Sequence, residues 1–202
     1  SIIGENGATD KGGGICTDSS VLIRNTSINN NSSQNGGGLY IGNTATVHMW
    51  MESYINNNYA YNNGGGVYIG EKAGFLLTDN NIYQNNCDKN GTGVYVRGKF
   101  QMFSIASVDE SNEVYLTRQT YISIIDRLLK PSGYVAVIRT TLTDPGTIIA
   151  QVEYSTDAQK ELYYIGDAVA ELNNQNCVKK FLVRNISGNK ILRPTKFVKA
   201  YV

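Results

Sequence analysis

Glycine triplets recur along the first half of this chain: Gly12-Gly13-Gly14, Gly36-Gly37-Gly38 and Gly64-Gly65-Gly66, then Gly91-Thr92-Gly93. The intervals are 24, 28 and 27 residues. Three of the four are followed by apolar-Tyr-apolar, as Leu39-Tyr40-Ile41, Val67-Tyr68-Ile69 and Val94-Tyr95-Val96, and the first by Ile15-Cys16-Thr17. Eight or nine residues before the last three lie Ile28-Asn29-Asn30-Asn31, Ile55-Asn56-Asn57-Asn58 and Ile82-Tyr83-Gln84-Asn85. A third element stands further upstream: Val21-Leu22-Ile23, Val47-His48-Met49, Phe75-Leu76-Leu77 and Phe100-Gln101-Met102. Glycine triplets at this spacing break any helical repeat, and no window keeps apolar residues at i, i+3, i+4 and i+7. Three short β-type segments per unit of about 25 residues, with turn residues between them, predict one solenoid coil per repeat: a right-handed parallel β-helix.

Coil geometry assigns a place to each recurring residue. Period-two alternation turns Leu39 and Ile41 inward and Tyr40 outward. Coils stacked about 4.8 Å apart then place Tyr40, Tyr68 and Tyr95 in one external ladder, with Cys16 at its end. Gly36, Gly64 and Gly91 supply positive φ or close backbone approach at a sharp corner. Asn31, Asn58 and Asn85 stack at another corner, where amides can hydrogen-bond along the ladder. Val47-His48-Met49-Trp50-Met51 fits two registers. The one with Val47 and Met49 inward and His48 and Trp50 outward is preferred, because Val47 to Tyr54 then matches the seven-residue step from Val21 to Ile28.

Composition divides the 202 residues unequally. Residues 1–111 hold 17 of the 21 glycines, 17 of the 23 asparagines, and six basic against nine acidic residues. Residues 112–202 carry twelve basic and eight acidic. The seam marks regular coils over 1–111 and an irregular β-rich part over 112–202. A formal net charge of +1 gives no bulk reason to expect nucleic acid, a polyanionic substrate or an anionic membrane surface. No apolar run reaches the ~18 residues of a membrane helix. Ser1 opens into polar sequence without a signal-peptide pattern, so the chain is expected to be mature, cytosolic or cut from something larger.

Ile-x-x-Asn followed by Gly-Gly-Gly-Val-Tyr-Ile resembles the tandem repeats of polymorphic outer membrane proteins and related bacterial surface proteins, with Ile28, Ile55 and Ile82 at their Phe position and Gly14, Gly38 and Gly66 at their Ala position. The Gly-Gly-Gly-Val-Tyr form is similar to that of large surface proteins of gut-type bacteria. There a last regular coil often leads into Asn-x-Val-Tyr-Leu, matched here by Asn112-Glu113-Val114-Tyr115-Leu116. The resemblance covers residues 12–116 strongly. It implies a right-handed parallel β-helix in a cell-surface or secreted setting, any membrane attachment lying in a part of the protein outside this chain. Its motifs are structural and transfer no catalytic residue.

Beyond Leu116, strands are predicted at Tyr121–Ile125, Tyr134–Ile138, Thr147–Val152, Lys180–Val183 and Lys190–Leu192. A helix is plausible only over Ala158–Asn173, with Gly166 against one long helix. This half reads as irregular coils that continue and close the stack, with a separate small β domain as the alternative. Its basic residues Lys179, Lys180, Arg184, Lys190, Arg193, Lys196 and Lys199 read as a solvated β face, with Phe181, Val183, Ile191 and Val198 inward, and not as a nucleic-acid surface.

Several features bear on a candidate site. A glycan hydrolase needs converging carboxylates; Glu52 and Asp79, each shortly before an Ile-x-x-Asn-like motif, come closest. His48 is the sole histidine, so neither a His-based metal site nor a Ser-His-Asp triad has partners. Cys16, Cys87 and Cys177 show no Cys-x-x-Cys spacing, and Cys16 and Cys87 are too many coils apart to bond. Sequons begin at Asn25, Asn30, Asn31, Asn90 and Asn185. The candidate binding surface is the Tyr40-Tyr68-Tyr95 ladder, widened by Trp50, Tyr54, Tyr59 and Tyr61 from neighbouring faces. The competing reading is tyrosines that pair to stabilise a sheet. The expectation is therefore an adhesin-like passenger or stalk segment that binds a glycan or protein of a host or neighbouring cell, with no catalytic residue, metal or cofactor. A polysaccharide-cleaving β-helix and a purely structural spacer are the alternatives.

Overall fold

A computed structural model of the protein describes residues 1–42, 44–128, 136–140, 148–153, 160–165, 181–185, 191–192 and 194–200, with side chains described through Ile125 and at Ala136, Ile138 and 148–151. Strands follow one another with short corners. The first are β1 (Ile2–Gly4), β2 (Ile15–Thr17), β3 (Val21–Arg24), β4 (Ser27–Asn29), β5 (Ser32–Asn35) and β6 (Leu39–Ile41). The pattern repeats as β7 (Thr46–Trp50), β8 (Tyr54–Asn56), β9 (Tyr59–Asn63) and β10 (Val67–Ile69), then β11 (Gly74–Thr78), β12 (Asn81–Tyr83), β13 (Asn86–Cys87) and β14 (Val94–Val96). β15 (Lys99–Ser104), β16 (Ser107–Val108) and β17 (Glu113–Leu116) complete the regular region.

Each strand pairs in parallel with its counterpart one coil away, giving four faces. The long-strand face carries β3, β7, β11 and β15; the isoleucine face β1, β4, β8, β12 and β16; the short face β5, β9 and β13; and the tyrosine face β2, β6, β10, β14 and β17. This is a parallel β-helix, as the repeat predicts. Register places Val21, Val47, Phe75 and Phe100 in one inward column and Ile28, Ile55 and Ile82 in another. Val47 and Met49 are fully buried while His48 and Trp50 are half-buried on the outer side, so the preferred register of that strand is the observed one. The core rings of Phe75 and Phe100 stack 5.8 Å apart. Each such side chain contributes about 1.5–3 kcal/mol by leaving water.

The three glycine positions do different work. The first, at Gly12, Gly36, Gly64 and Gly91, has φ between 60 and 70°, the left-handed region a side chain disfavours. The second sits under the next coil: a Cβ on Gly37 would collide with the carbonyl oxygens of Tyr59 and Gly65, and one on Gly65 with those of Asn86 and Thr92. In the fourth coil this second position is Thr92, and the short face ends at β13. With no further strand on that face among the described residues, a side chain fits there, and Thr92 Oγ1 accepts a 2.8 Å hydrogen bond from the Glu113 amide.

Both long faces run through the seam near Asn112. On the tyrosine face β17 pairs in parallel with β19 (Ala136–Thr140); on the long-strand face β15 pairs in parallel with β18 (Ile122–Leu128), and β18 with β20 (Ile148–Glu153). The pairing then changes sense. β21 (Lys160–Ile165) runs antiparallel to β20, β22 (Phe181–Asn185) adds in parallel to β19, β23 (Ile191–Leu192) runs antiparallel to β22, and β24 (Pro194–Ala200) antiparallel to β21. The expected helix over Ala158–Asn173 is therefore wrong where the chain is described: Lys160–Ile165 is a strand. Leu162-Tyr163-Tyr164-Ile165 suits a pleated surface, and two neighbouring strands satisfy its backbone. Residues 166–173 of that expectation lie outside the described residues.

Candidate functional site

The tyrosine face is built by register alone. Ile15-Cys16-Thr17, Leu39-Tyr40-Ile41, Val67-Tyr68-Ile69, Val94-Tyr95-Val96 and Val114-Tyr115-Leu116 lie opposite one another, so Cys16, Tyr40, Tyr68, Tyr95 and Tyr115 form one outward column. Successive ring centroids are 4.9, 5.1 and 5.2 Å apart, with interplanar angles of 12, 23 and 5°. The expected ladder of three gains Tyr115, whose Val-Tyr-Leu setting repeats the Val-Tyr-Ile signal although no glycine triplet precedes it.

Stacking changes what this column can offer. Ring faces cover one another, leaving Tyr68 9% and Tyr115 8% exposed. What meets solvent is a row of ring edges and hydroxyls, not a platform for a flat ligand. Two cations flank it: the Lys11 ammonium lies 5.2 Å from the Tyr40 ring centre, and Arg97 Nη1 donates a 3.4 Å hydrogen bond to the Tyr68 hydroxyl. Burial pushes the Tyr40 and Tyr95 phenols above their ordinary range, so both hydroxyls keep their protons, and the Tyr68 hydrogen bond raises Arg97.

The asparagine ladder lies inside the stack. Asn31, Asn58, Asn85 and Asn112 are at most 4% exposed. Each side-chain oxygen accepts from both the backbone amide and the side-chain amide of the asparagine one coil before, at 2.9 to 3.1 Å; Asn6 begins the series on Asn31 and Asn112 ends it. Asn58 and Asn85 also donate to the carbonyls of Ile28 and Ile55. This satisfies backbone groups at a tight buried corner where no strand ladder can reach them. Asn31 is thereby closed as a glycosylation acceptor.

The remaining aromatic residues do not join the tyrosine column. Trp50 stacks on His48 at 5.9 Å on the long-strand face, Tyr54 meets Tyr83 edge-on on the isoleucine face, and Tyr59 meets Tyr61 edge-on on the short face. Tyr59 donates a short hydrogen bond to Asp88, which raises its pKa. The sole histidine shares a 3.1 Å hydrogen bond with Thr78. Glu52 and Asp79 are exposed at positive-φ turns, where Asp79 accepts a 3.4 Å hydrogen bond from the Ile105 amide. No cluster of three or more His, Cys, Asp or Glu that could hold a metal occurs among the described residues. Cys16 and Cys87 are free thiols on different faces; burial raises both, Cys87 to about 11. Cys177 lies outside the described residues, as do Lys179, Lys180, Lys190 and Arg193. Arg184 falls in β22, and Lys196 and Lys199 in β24.

A cavity of about 410 Å³ opens beside the tyrosine face, lined by Glu71, Lys72, Ala73, Arg97, Gly98, Lys99, Gln119, Thr120, Tyr121 and Ser123. Its origin is a mismatch of corner lengths. The turn from the tyrosine face to the long-strand face takes two residues in the fourth coil, Arg97-Gly98, against 70–73 before it and 117–121 after it. Glu71 and Lys72 thus stand proud on one side and Gln119 and Thr120 on the other. A Cβ at Gly98 would collide with the carbonyl oxygens of Gly70 and Ala73. Sequence reasoning passed over this site, although its signal was present: Tyr68 to Phe75 is seven residues and Tyr95 to Phe100 only five.

Parallel coils, a buried amide ladder and an outward aromatic column together define a β-solenoid of the parallel β-helix class. Beyond that class, comparison with family models, with curated proteins and with solved structures finds no significant match to the chain.

Proposed function

We propose that this chain is an extracellular or cell-surface β-helix segment of adhesin-like, passenger or stalk type, presenting its tyrosine face to a glycan or protein on host or neighbouring cells. The supporting observation is the outward column of Tyr40, Tyr68, Tyr95 and Tyr115, a row of phenolic edges flanked by Lys11 and Arg97. Such edges combine apolar surface with hydrogen-bonding tips on a rigid sheet, a combination favoured at recognition surfaces. The test is a glycan array and a cell-binding assay with the wild-type chain and with Tyr40→Phe/Tyr68→Phe/Tyr95→Phe. That variant keeps the stacked rings and removes the hydroxyls. A loss of about tenfold, some 1.4 kcal/mol, is expected; unchanged binding removes this face from the reading.

A second reading, a structural spacer, is favoured by the face-to-face stacking of the same rings, which serves the sheet itself. It predicts that the wild-type chain binds neither array nor cells.

A further inference from the structure

We propose that the notch at Arg97-Gly98 is a binding subsite for an acidic saccharide, one sugar residue bearing a carboxylate or sulfate. The inference rests on the glycan form of the reading above and names a second place on the surface where the glycan is held.

Charge carries the first part of the argument. Residues 1–111 contain six basic residues, and three of them, Lys72, Arg97 and Lys99, line this one cavity. Glu71 is their single acidic neighbour there and lies 3.7 Å from Arg97. Lys72 and Lys99 are exposed and have no ion-pair partner among the described residues. Their ammonium groups and the remaining guanidinium donors suit an anion held in a recess, where charge-assisted hydrogen bonds are stronger than on open surface.

The polar floor carries the second part. Ser123 is 1% exposed, lines the cavity, and its Oγ has no hydrogen-bond partner among the described residues. A buried hydroxyl without a partner is costly to a fold and is expected to be met by a ligand or water. Gln119 and Thr120 add polar side chains and Tyr121 an aromatic one, the mixture that suits sugar hydroxyls and a pyranose ring. The volume exceeds what a lone inorganic anion fills and lies within the range of small-ligand sites.

Rigidity carries the third. The Arg97 amide donates to Ile69 O at 3.1 Å and the Lys99 amide to Ala73 O at 2.9 Å, tying the short corner to the loop before it. Thr117 Oγ1 donates to Val96 O at 2.8 Å and Thr120 Oγ1 to Thr117 O at 2.9 Å, tying the loop after it. A recess held from both sides needs little ordering on binding.

The test is calorimetric or NMR titration of the whole chain with methyl glucuronide, glucose 6-sulfate, methyl glucoside, inorganic sulfate and a short polyglutamate peptide. Binding of the charged sugars about tenfold or more tighter than the neutral one is expected. Lys72→Gln/Lys99→Gln, on exposed side chains that leave the fold intact, should lower that affinity by about tenfold. Ser123→Ala should lower it several-fold, and Lys89→Gln, a basic residue elsewhere, should leave it unchanged. Equal binding of methyl glucoside, equal binding of inorganic sulfate, tighter binding of polyglutamate, or no binding of either charged sugar overturns the proposal. Array binding that survives Lys72→Gln/Lys99→Gln but not the triple Tyr→Phe change sinks the notch and leaves the tyrosine face standing. The reverse pattern sinks the tyrosine face alone.

Discussion

The second and third coils and the fourth coil that follows them solve the same problem with different parts. Where a strand of the next coil lies over the short face, the position after the positive-φ glycine must itself be glycine, as at Gly37 and Gly65, because the neighbouring carbonyls occupy the space of a Cβ. Where that face ends, the same position is Thr92, and its hydroxyl accepts a hydrogen bond from the Glu113 amide. The glycine run is therefore two requirements side by side. One is local, a left-handed φ within the coil; the other is tertiary, a neighbour pressed against the backbone.

Exchanging residues across that boundary gives the largest expected effect. Gly65→Thr should cost about 3 kcal/mol or more, through backbone collision in a packed interior, whereas Thr92→Gly should cost about 1 kcal/mol, from backbone entropy and one lost hydrogen bond. Denaturant unfolding of both variants checks this, and equal losses would show that the short face does not set the glycine requirement.

Next in size is Asn58→Ala. Asn58 accepts from the backbone and side-chain amides of Asn31 and donates to Ile28 O, so its loss takes a hydrogen-bond partner from three buried polar groups. A loss of about 3 kcal/mol is expected. Asn57, exposed beside it, gives the contrast: Asn57→Gly, at a φ of 54°, should be near neutral or stabilising. Similar losses at the two positions would break the distinction between an inner ladder and an outer turn.

The smallest effect concerns the thiols. Burial holds the Cys87 proton to about pH 11, against an ordinary 9.0. The folded state therefore binds more protons than the unfolded one between pH 9 and 11. The stability contribution is full below the lower value and falls as pH rises through that window. Iodoacetamide at pH 8.5 should label the exposed Cys16 before Cys87, read by mass spectrometry of the folded chain. Faster labelling of Cys87 would mean that the corner next to Gly65 opens in solution.

Much of the fold was legible because solenoid chemistry repeats. Ile28, Ile55 and Ile82 occupy equivalent sites one coil apart, so register could be read by matching residue types. The site was less legible. Trp50 is expected on a face neighbouring the tyrosine ladder, and what the sequence does not show is that its ring stacks there on His48. Tyr115 went uncounted because it follows a shortened coil. The notch was missed because it arises from what one coil lacks relative to its neighbours, and searching for similarity passes over a two-residue deficit. Lys160–Ile165 was misread because its partners β20 and β24 are antiparallel and carry none of the repeat signal.

The sequence by itself determined the coil period, the inward and outward sides of each strand, and the corners that need glycine or asparagine. Those follow from period-two alternation and backbone sterics, which act within a few residues of one another. Only the tertiary structure decided that the tyrosines spend their faces on each other, that Thr92 is tolerated where Gly65 is required, and that a short corner between two longer ones leaves a basic recess over a buried serine hydroxyl with no hydrogen-bond partner among the described residues. Each of these depends on what lies one coil above or below, some 20 to 28 residues away in the chain, where only the stacking register brings the partners together.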